Sequence, residues 1–211
     1  MRVLFVTDLH GNKWKYERLL EAAKEFRADV VINGGDMLPW NNDPFRQGEF
    51  ITNYLDDHFA WFNSAGIYYL CYPGNDDLRI FDKLFEETSD KYPFVISLAQ
   101  RKFEFGSCEF IGMNWVNDYP FRLKDRCRMD TDKYVLGTQF GKGLLSTPEG
   151  WQEIDDWFAY VKTPNHWGRA QSTGMPQGYV KECVHNPHTP IRNRIGSMFS
   201  SCSEGWIKGG L

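Results

Sequence analysis

Three apolar segments, each followed by polar residues, constrain the fold of this chain more than any other feature of its sequence. The apolar runs at 3–7, 30–32 and 67–72 predict buried strands. Apolar residues recur at helical spacing within 13–27 and 46–65, which predicts one helix between each pair of strands. Strand–helix–strand units favour a parallel sheet with right-handed crossovers. We therefore predict an α/β fold.

Each predicted strand is followed by side chains that can bind a metal ion. The three segments are Asp8-Leu9-His10, Asn33-Gly34-Gly35-Asp36 and Gly74-Asn75-Asp76-Asp77. Ligands of open α/β sheets bind just beyond the carboxyl ends of the strands. The gaps of 28 residues from Asp8 to Asp36 and 39 from Asp36 to Asn75 each fit a helix plus a strand. We therefore expect Asp8, His10, Asp36 and Asn75 to converge on one crevice.

The residue types in this group point to a transition-metal or zinc site. Two carboxylates, an imidazole and an amide oxygen suit Mn²⁺, Fe or Zn²⁺ better than Ca²⁺. Asp36 lies on the middle segment, from which its carboxylate could bridge two ions that clamp a phosphate. Taken alone, Asp8 and His10 are equally well explained as a polar turn.

The same three segments resemble the first three signature blocks of the calcineurin-like metallophosphoesterases, over roughly residues 1–115. The resemblance implies a four-layer α/β/β/α sandwich with a dinuclear metal site. It also implies that Asp8 and His10 bind the first ion, that Asp36 bridges, and that Asn75 binds the second. The implied reaction is hydrolysis of a phosphate ester by a metal-bridging hydroxide.

The third block departs from the family pattern, which often reads Gly-Asn-His-Asp/Glu and uses its His to protonate the leaving group. Here that position is Asp76. Branches of the family that lack this His still hydrolyse phosphodiesters, so we expect a phosphodiesterase rather than a monoesterase. Asp76 is the candidate catalytic residue, and it could act as a general acid only with a raised pKa. The alternative is that Asp76 merely shapes the pocket.

A second departure concerns the C-terminal part of the chain. The family continues to a His after a later strand and then to a Gly-His-x-His block. His185 resembles the first of these as a metal ligand, but the chain contains no Gly-His-x-His. Residues 163–211 hold seven Gly and four Pro but no long periodic segment, and the strand predicted at 179–184, just before His185, is the only one expected there. We predict a core at 1–162 and an irregular segment at 163–211 that is incomplete or altered, for instance by a shifted reading frame.

The segment between the third block and residue 162 predicts a second sheet and one more helix. Short strands are expected at 94–98, 102–105 and 108–112, a long loop at 114–148, and a helix at 149–161. Four basic residues alternate through 121–129: Arg122, Lys124, Arg126 and Arg128.

These basic residues have two interpretations. They could form a cationic wall in which Arg122 and Arg126 bind substrate phosphate. Alternatively, they could belong to a solvated loop with ion pairs to Asp118, Asp125 and Asp130. His58 lies on an apolar helix face and is interpreted as a core histidine with its hydrogen bonds satisfied.

Composition limits the remaining function classes. A net charge of −4 and a pI of about 5.7 argue against a general nucleic-acid or anionic-membrane binder. The chain has neither a membrane-length apolar run nor a signal-peptide-like N-terminus, and its five cysteines show no paired spacing. These features predict free thiols and a cytoplasmic location.

The reaction that the family resemblance implies makes a phosphorylated small molecule or a nucleotide the expected partner. Two further functions stay open at this point. One is a non-catalytic relative that binds metal or a phosphorylated ligand, and the other is an interaction scaffold.

Overall fold

A four-stranded parallel sheet organises the computed structural model, which describes residues 1–40, 43–116, 120–128, 137–156 and 159–160. The strands lie in the order β1-β2-β3-β4 and are β1 (Val3–Val6), β2 (Val30–Asn33), β3 (Tyr68–Cys71) and β4 (Val95–Ser97). The register aligns the last residues of the first three strands, Val6 beside Asn33 and Asn33 beside Cys71. The loops that follow these strands therefore start at the same edge of the sheet.

Helices connect the parallel strands, as the apolar periodicity predicted. The helical elements are α1 (Lys13–Glu25), a 3-10 turn (Pro44–Arg46), α2 (Gln47–Phe50), a π-helical turn (Ile51–Leu55), α3 (Asp56–Ala65), a second 3-10 turn (Arg79–Phe81) and α4 (Asp82–Ser89). Asn12 caps α1, because its side chain accepts a hydrogen bond from the Lys15 amide at 3.3 Å. Gly66 ends α3 in the left-handed conformation that a C-terminal glycine provides.

One hydrophobic core lies between the helices and the sheet. The helices contribute buried side chains at Leu19, Ala23, Ile51, Leu55, Phe59, Phe62 and Phe85, and the sheet contributes Val31, Tyr69, Cys71 and Val95. Sheet residues of this core alternate with residues that face the opposite side, as the two-residue period of a strand requires. Burial of these side chains fixes the register that aligns the strand ends.

A hairpin covers the other face of the sheet. It consists of β5 (Lys102–Phe105) and β6 (Cys108–Ile111), which pair antiparallel. Its aromatic side chains, including Phe103, Phe105 and Phe110, pack with Val30, Ile32, Leu70 and Tyr72. The described residues thus form an α layer, a β layer and a second β layer, in agreement with the α/β class. A further helical layer is not found among these described ranges.

The strand predicted at 94–98 belongs to the first sheet, so its assignment to a second sheet was wrong. β4 pairs parallel to β3, with Tyr69 beside Val95 and Cys71 beside Ser97. The physical reason is the connection through α4, which returns the chain to the same edge of the sheet as a third crossover.

The prediction of a helix at 149–161 is wrong for the first residues of that range. Gly150–Ile154 forms β8, which pairs antiparallel with β7 (Gly143–Thr147). Gly150 has a φ of 122°, and its carbonyl accepts the Thr147 hydroxyl at 2.8 Å, so the chain turns there instead of entering a helix. The three-residue spacing of Trp151 and Ile154 resembled helical periodicity, although these residues lie in a strand.

No helix in the described part of the chain is long and apolar enough to cross a membrane. Cys71 is a free, buried thiol, as predicted, and the Cys127 side chain is buried as well. Cys108 is disulfide-bonded, so the prediction of free thiols is wrong at that position. The predicted irregular segment 163–211 lies outside the described residues.

Candidate metal centre

The loops after β1 and β2 are joined by backbone hydrogen bonds that continue the sheet beyond its last residues. The Asp8 amide donates to the Gly35 carbonyl at 3.1 Å, and the His10 amide donates to the Asp36 carbonyl at 2.8 Å. A third bond joins the Gly11 amide to the Met37 carbonyl at 2.8 Å. The first two candidate blocks are therefore held side by side by their main chains.

The backbone of this pair of loops is strained at the candidate ligands. Asp8, His10 and Asp36 have φ values of 60°, 47° and 52°, in the left-handed region that non-glycine residues rarely adopt. Among the described residues, only Arg27 and Gln100 share this property outside glycine. Such strain costs on the order of 1–3 kcal/mol per residue and clusters at functional sites.

The strained backbone brings three of the predicted side chains together. Ligand-type atoms of Asp8, His10 and Asp36 all lie within 4.8 Å of one another. His10 Nε2 is 3.7 Å from Asp8 Oδ1, and these two side chains are 36% and 55% exposed. The group is thus compact enough for one cation and open to a ligand from solvent.

The third loop completes the cluster from the β3 side. The Asp76 amide donates to Asp36 Oδ1 at 2.8 Å, and the Asp76 carboxylate lies 3.9 Å from His10 Nδ1. Asn75 lies in the same loop, where its side-chain amide donates to Asp76 Oδ1 at 3.0 Å. The structure therefore brings Asp8, His10, Asp36 and Asp76 together, with Asn75 beside them.

Close approach of the second and third loops depends on two glycines. A Cβ on Gly74 would lie 2.2 Å from the Asp36 amide nitrogen and 2.4 Å from Asp36 Oδ1. Gly35 has a φ of 104°, and a Cβ there would lie 2.7 Å from the Gly74 Cα atom. The glycine pair is required because the two backbones touch at this point.

Electrostatics of the cluster favours a cation. Burial raises the pKa of Asp36 to about 7, the Asp76 amide opposes this, and the charges of Asp77, Asp76 and Asp8 raise it further. Burial likewise raises the pKa of Asp76, against the effect of His10 and Asn75. A divalent ion bound here would favour the charged carboxylates and relieve their mutual repulsion. The donor set of carboxylates and an imidazole therefore fits the predicted Mn²⁺, Fe or Zn²⁺.

Asp77 and Gln47 are parts of this centre that sequence reasoning missed. The wholly buried Asp77 carboxylate accepts the amides of Met37 at 3.1 Å, Leu38 at 2.7 Å and Gly74 at 2.7 Å. The buried Gln47 side chain donates to the Asp76 carbonyl at 2.9 Å, among other loop contacts. Asp77 ends a Gly-Asn-Asp-Asp turn, a setting in which an Asp side chain commonly accepts backbone amides. Nothing in the local sequence marks Gln47.

The two candidate substrate-binding arginines lie in different environments. Arg122 is exposed and donates to the Lys142 carbonyl and to Glu153 Oε1, both at 3.2 Å. Arg126 is only 1% exposed and contacts the third loop and Asp82. Lys124 is also buried, with its ammonium donating to Gln139 at 2.7 Å. Neither a solvated loop nor a continuous cationic wall describes this segment, because two of its four cations are buried.

His58 is a core residue, as predicted, but its hydrogen bonds are not satisfied. Among the described residues neither ring nitrogen has a partner, and the ring packs edge-on against aromatic rings, including Tyr16 at 4.8 Å and Tyr69 at 5.2 Å. Burial lowers its pKa to about 3. His185, the remaining predicted metal ligand, lies outside the described residues, as do His166 and His188.

Comparison with known proteins gives one match that identifies a family. The family model for calcineurin-like phosphoesterases matches residues 1–163. No curated protein matches the chain. One crystal structure matches at 20% identity with a TM-score of 0.42, over 53% of this chain and 51% of the other. The chain thus spans about half the length of that solved protein.

Members of the matched family are generally metal-dependent phosphoesterases and typically bind two divalent ions. The match covers most of the sequence, including the three loops that carry the acidic and imidazole side chains. The chain belongs to the calcineurin-like phosphoesterase family.

Proposed function

We propose that this chain hydrolyses a phosphodiester with the help of two divalent metal ions. The observation that carries the proposal is the convergence of Asp8, His10 and Asp36 within 4.8 Å, on backbone held in the left-handed region. Strain of this kind is retained where the surrounding structure enforces it, typically at ligand sites.

In the proposed centre, Asp8 and His10 bind the first ion, Asp36 bridges, and Asn75 binds the second. Support for the bridging role is the position of Asp36 between the other two loops, with main-chain bonds to one and a side-chain bond to the other. One Asp36 oxygen accepts the Asp76 amide, which fixes the orientation of the carboxylate. Lys15 donates to the Asp8 carbonyl at 2.7 Å and so helps to hold the first loop.

Two divalent ions at such a centre neutralise charge on the phosphate and lower the pKa of a water molecule. The residues of the chain contribute orientation and proton transfer. Loop-to-loop hydrogen bonds keep the carboxylates in fixed relative positions before the substrate arrives, so no reorganisation is needed during the reaction.

Asp76 is the proposed proton donor to the leaving group. Burial raises the pKa of this carboxyl, which is the direction that a general acid requires near neutral pH. The His10 ring lies 3.9 Å from this carboxylate, and its charge opposes the rise in the pKa of Asp76. A role in shaping the loop is the alternative, supported by the Asn75 amide that donates to Asp76 Oδ1.

The proposed substrate is a phosphorylated small molecule or a nucleotide. Asp8 is 55% exposed, so a small ligand can reach the cluster from solvent. The preference for a diester follows from the sequence of the third block, where Asp76 stands in place of the His that this block of the family often carries.

Hydrolysis of bis-p-nitrophenyl phosphate and of p-nitrophenyl phosphate tests the proposal, with Mn²⁺, Fe²⁺ or Zn²⁺ added to chelator-treated protein. We expect metal-dependent turnover that is faster on the diester. Faster turnover of the monoester would contradict the diester preference. Bound metal without turnover of either ester would support a non-catalytic metal-binding relative instead. Absence of bound metal would leave the interaction scaffold as the function.

A further inference from the structure

Arg126 is a buried cation whose contacts reach the loop that carries Asn75 and Asp76. Its Nε atom donates to the Gly74 carbonyl at 2.7 Å, and one terminal nitrogen donates to the Asp77 carbonyl at 3.1 Å. These two carbonyls belong to the residues immediately before and after the Asn75-Asp76 pair in the sequence. One rigid guanidinium therefore holds both ends of this short loop.

The carboxylate of Asp82, which is not part of the metal cluster, balances the charge of Arg126. Both terminal nitrogens donate to Asp82, at 3.1 Å and 2.5 Å, and Asp82 is the first residue of α4. A two-bond arginine–carboxylate pair fixes the plane of the guanidinium as well as its position. The loop is consequently tied through Arg126 to the start of a packed helix.

The backbone that carries Arg126 is itself anchored. The Val116 amide donates to the Arg126 carbonyl at 2.9 Å. The neighbouring Asp125 carboxylate accepts the Arg79 amide at 2.9 Å and the Ser146 amide at 2.8 Å. These bonds join the segment to β7 and to the 3-10 turn before α4. The backbone at Arg126 is therefore fixed relative to the loop that its side chain contacts.

We propose that Arg126 is a positioning residue for the second metal ion, rather than a substrate-binding residue. By fixing the carbonyls of Gly74 and Asp77, it sets the direction in which the intervening Asn75 side chain is presented. The proposal rests on the dinuclear function proposed above, and it assigns to Arg126 a larger effect on the ion bound by Asn75 than on the first ion. Asp8 and His10 belong to another loop, so the first ion should depend on Arg126 much less than the second.

The test compares Mn²⁺ binding by the full chain and by the Arg126→Lys variant. Calorimetric titration measures the two affinities, and electron paramagnetic resonance detects the spin-coupled pair. Lysine keeps the positive charge beside Asp82 but cannot hold both loop carbonyls. We expect affinity for the second Mn²⁺ to fall by about 10- to 100-fold, as when a group that orients a metal ligand is lost. Affinity for the first Mn²⁺ should fall much less, and the spin-coupled two-manganese spectrum should give way to that of an isolated ion.

Lys124→Met is the matched control, because it removes a buried cation from the same segment, one whose ammonium donates to Gln139. This control should keep the spin-coupled spectrum. A folded Arg126→Lys protein that binds both ions as tightly as the unchanged chain would overturn the proposal. Equal weakening of both ions would also overturn it, because that result indicates general destabilisation.

If Arg126→Lys does not fold, Asp82→Asn provides the decisive variant. Asp82 is 38% exposed, and this change loosens the guanidinium while leaving the arginine in place. Selective weakening of the second ion supports the proposal, and unchanged binding contradicts it. Failure of the unchanged chain to bind two Mn²⁺ ions would instead overturn the dinuclear function, and the role of Arg126 with it.

Discussion

The loops at the carboxyl edge of the sheet and the helical core around His58 bury polar groups in opposite ways. In the loops, the buried side chains of Asp77, Gln47 and Arg126 all have hydrogen-bond partners, while the backbone at the candidate ligands is strained. In the core, His58 is enclosed by aromatic rings and neither ring nitrogen has a described partner.

This difference shows what each region contributes. The loops combine strained backbone with a dense set of hydrogen bonds, which is what a preorganised binding site requires. Around His58, neither ring nitrogen has a partner among the described residues, so the stability of this part of the core depends on packing and on His58 remaining neutral. Changes in the loops should therefore affect binding and activity first, whereas changes at His58 should affect stability and its dependence on pH.

The largest expected effect is that of Asp36→Asn on activity. Loss of the bridging carboxylate should reduce metal-dependent hydrolysis to the background rate, while the asparagine oxygen can still accept the Asp76 amide and preserve the loop. Initial rates at saturating Mn²⁺, with thermal unfolding as a check of folding, measure both quantities. Asp57→Asn, an exposed carboxylate on α3, is the control and should leave the rate unchanged. Near-normal turnover by Asp36→Asn would refute the bridging assignment.

A pair of glycine substitutions separates steric contact at the site from ordinary backbone strain. Gly74→Ala would place a Cβ 2.2 Å from a backbone nitrogen, so the loops must separate, with an expected cost of about 3 kcal/mol or more. Gly66→Ala meets no atom within 4 Å and carries only the cost of a left-handed alanine, about 1–2 kcal/mol.

Urea unfolding and Mn²⁺ titration of both glycine variants check this comparison. Metal binding should be lost in Gly74→Ala and retained in Gly66→Ala. Equal stability of the two proteins, with metal binding intact in both, would show that the loops do not need their close approach.

Acid should destabilise the protein through His58, an effect smaller than that of Gly74→Ala. Because burial lowers the pKa of His58 to about 3 in the folded state, the unfolded chain binds more protons below an ordinary histidine pKa of about 6.5. The stability associated with neutral, buried His58 is fully present above about pH 6.5 and is lost as the pH falls. Between pH 7.5 and pH 5 we expect a loss of about 2 kcal/mol from this residue.

His58→Leu isolates this contribution, because it removes the titrating ring and its unpartnered nitrogens. The free energy of unfolding at pH 7.5 and pH 5, measured with urea, should differ less in the variant than in the unchanged chain, by about 2 kcal/mol. An identical acid dependence in both proteins would mean that His58 is not the group responsible.

The sequence predicted the regular half of the molecule better than the rest, for physical reasons. Strands and helices up to α4 carry strong apolar periodicity, so the placement of the three loops at one edge followed from it. β4 was predicted as a strand but in the wrong sheet, and β8 was predicted as a helix. Pairing partners are chosen by tertiary packing, and a run of three to five residues carries little pattern.

At the site, the candidate ligands could be named from their residue types, while the groups that hold them could not. The role of Arg126 depends on contacts with Gly74 and Asp82, 52 and 44 positions away in the sequence. Contacts at such separation leave no local pattern. The left-handed backbone at His10 is likewise a consequence of pairing with the second loop rather than of the residue itself.

Anomalous diffraction at the manganese edge, from crystals of the full chain soaked in Mn²⁺, tests the central claim most directly. Two peaks are predicted, roughly 3.5–4 Å apart, with the Asp36 carboxylate between them, Asp8 and His10 at one peak, and Asn75 at the other. The absence of any peak among these loops would contradict the account.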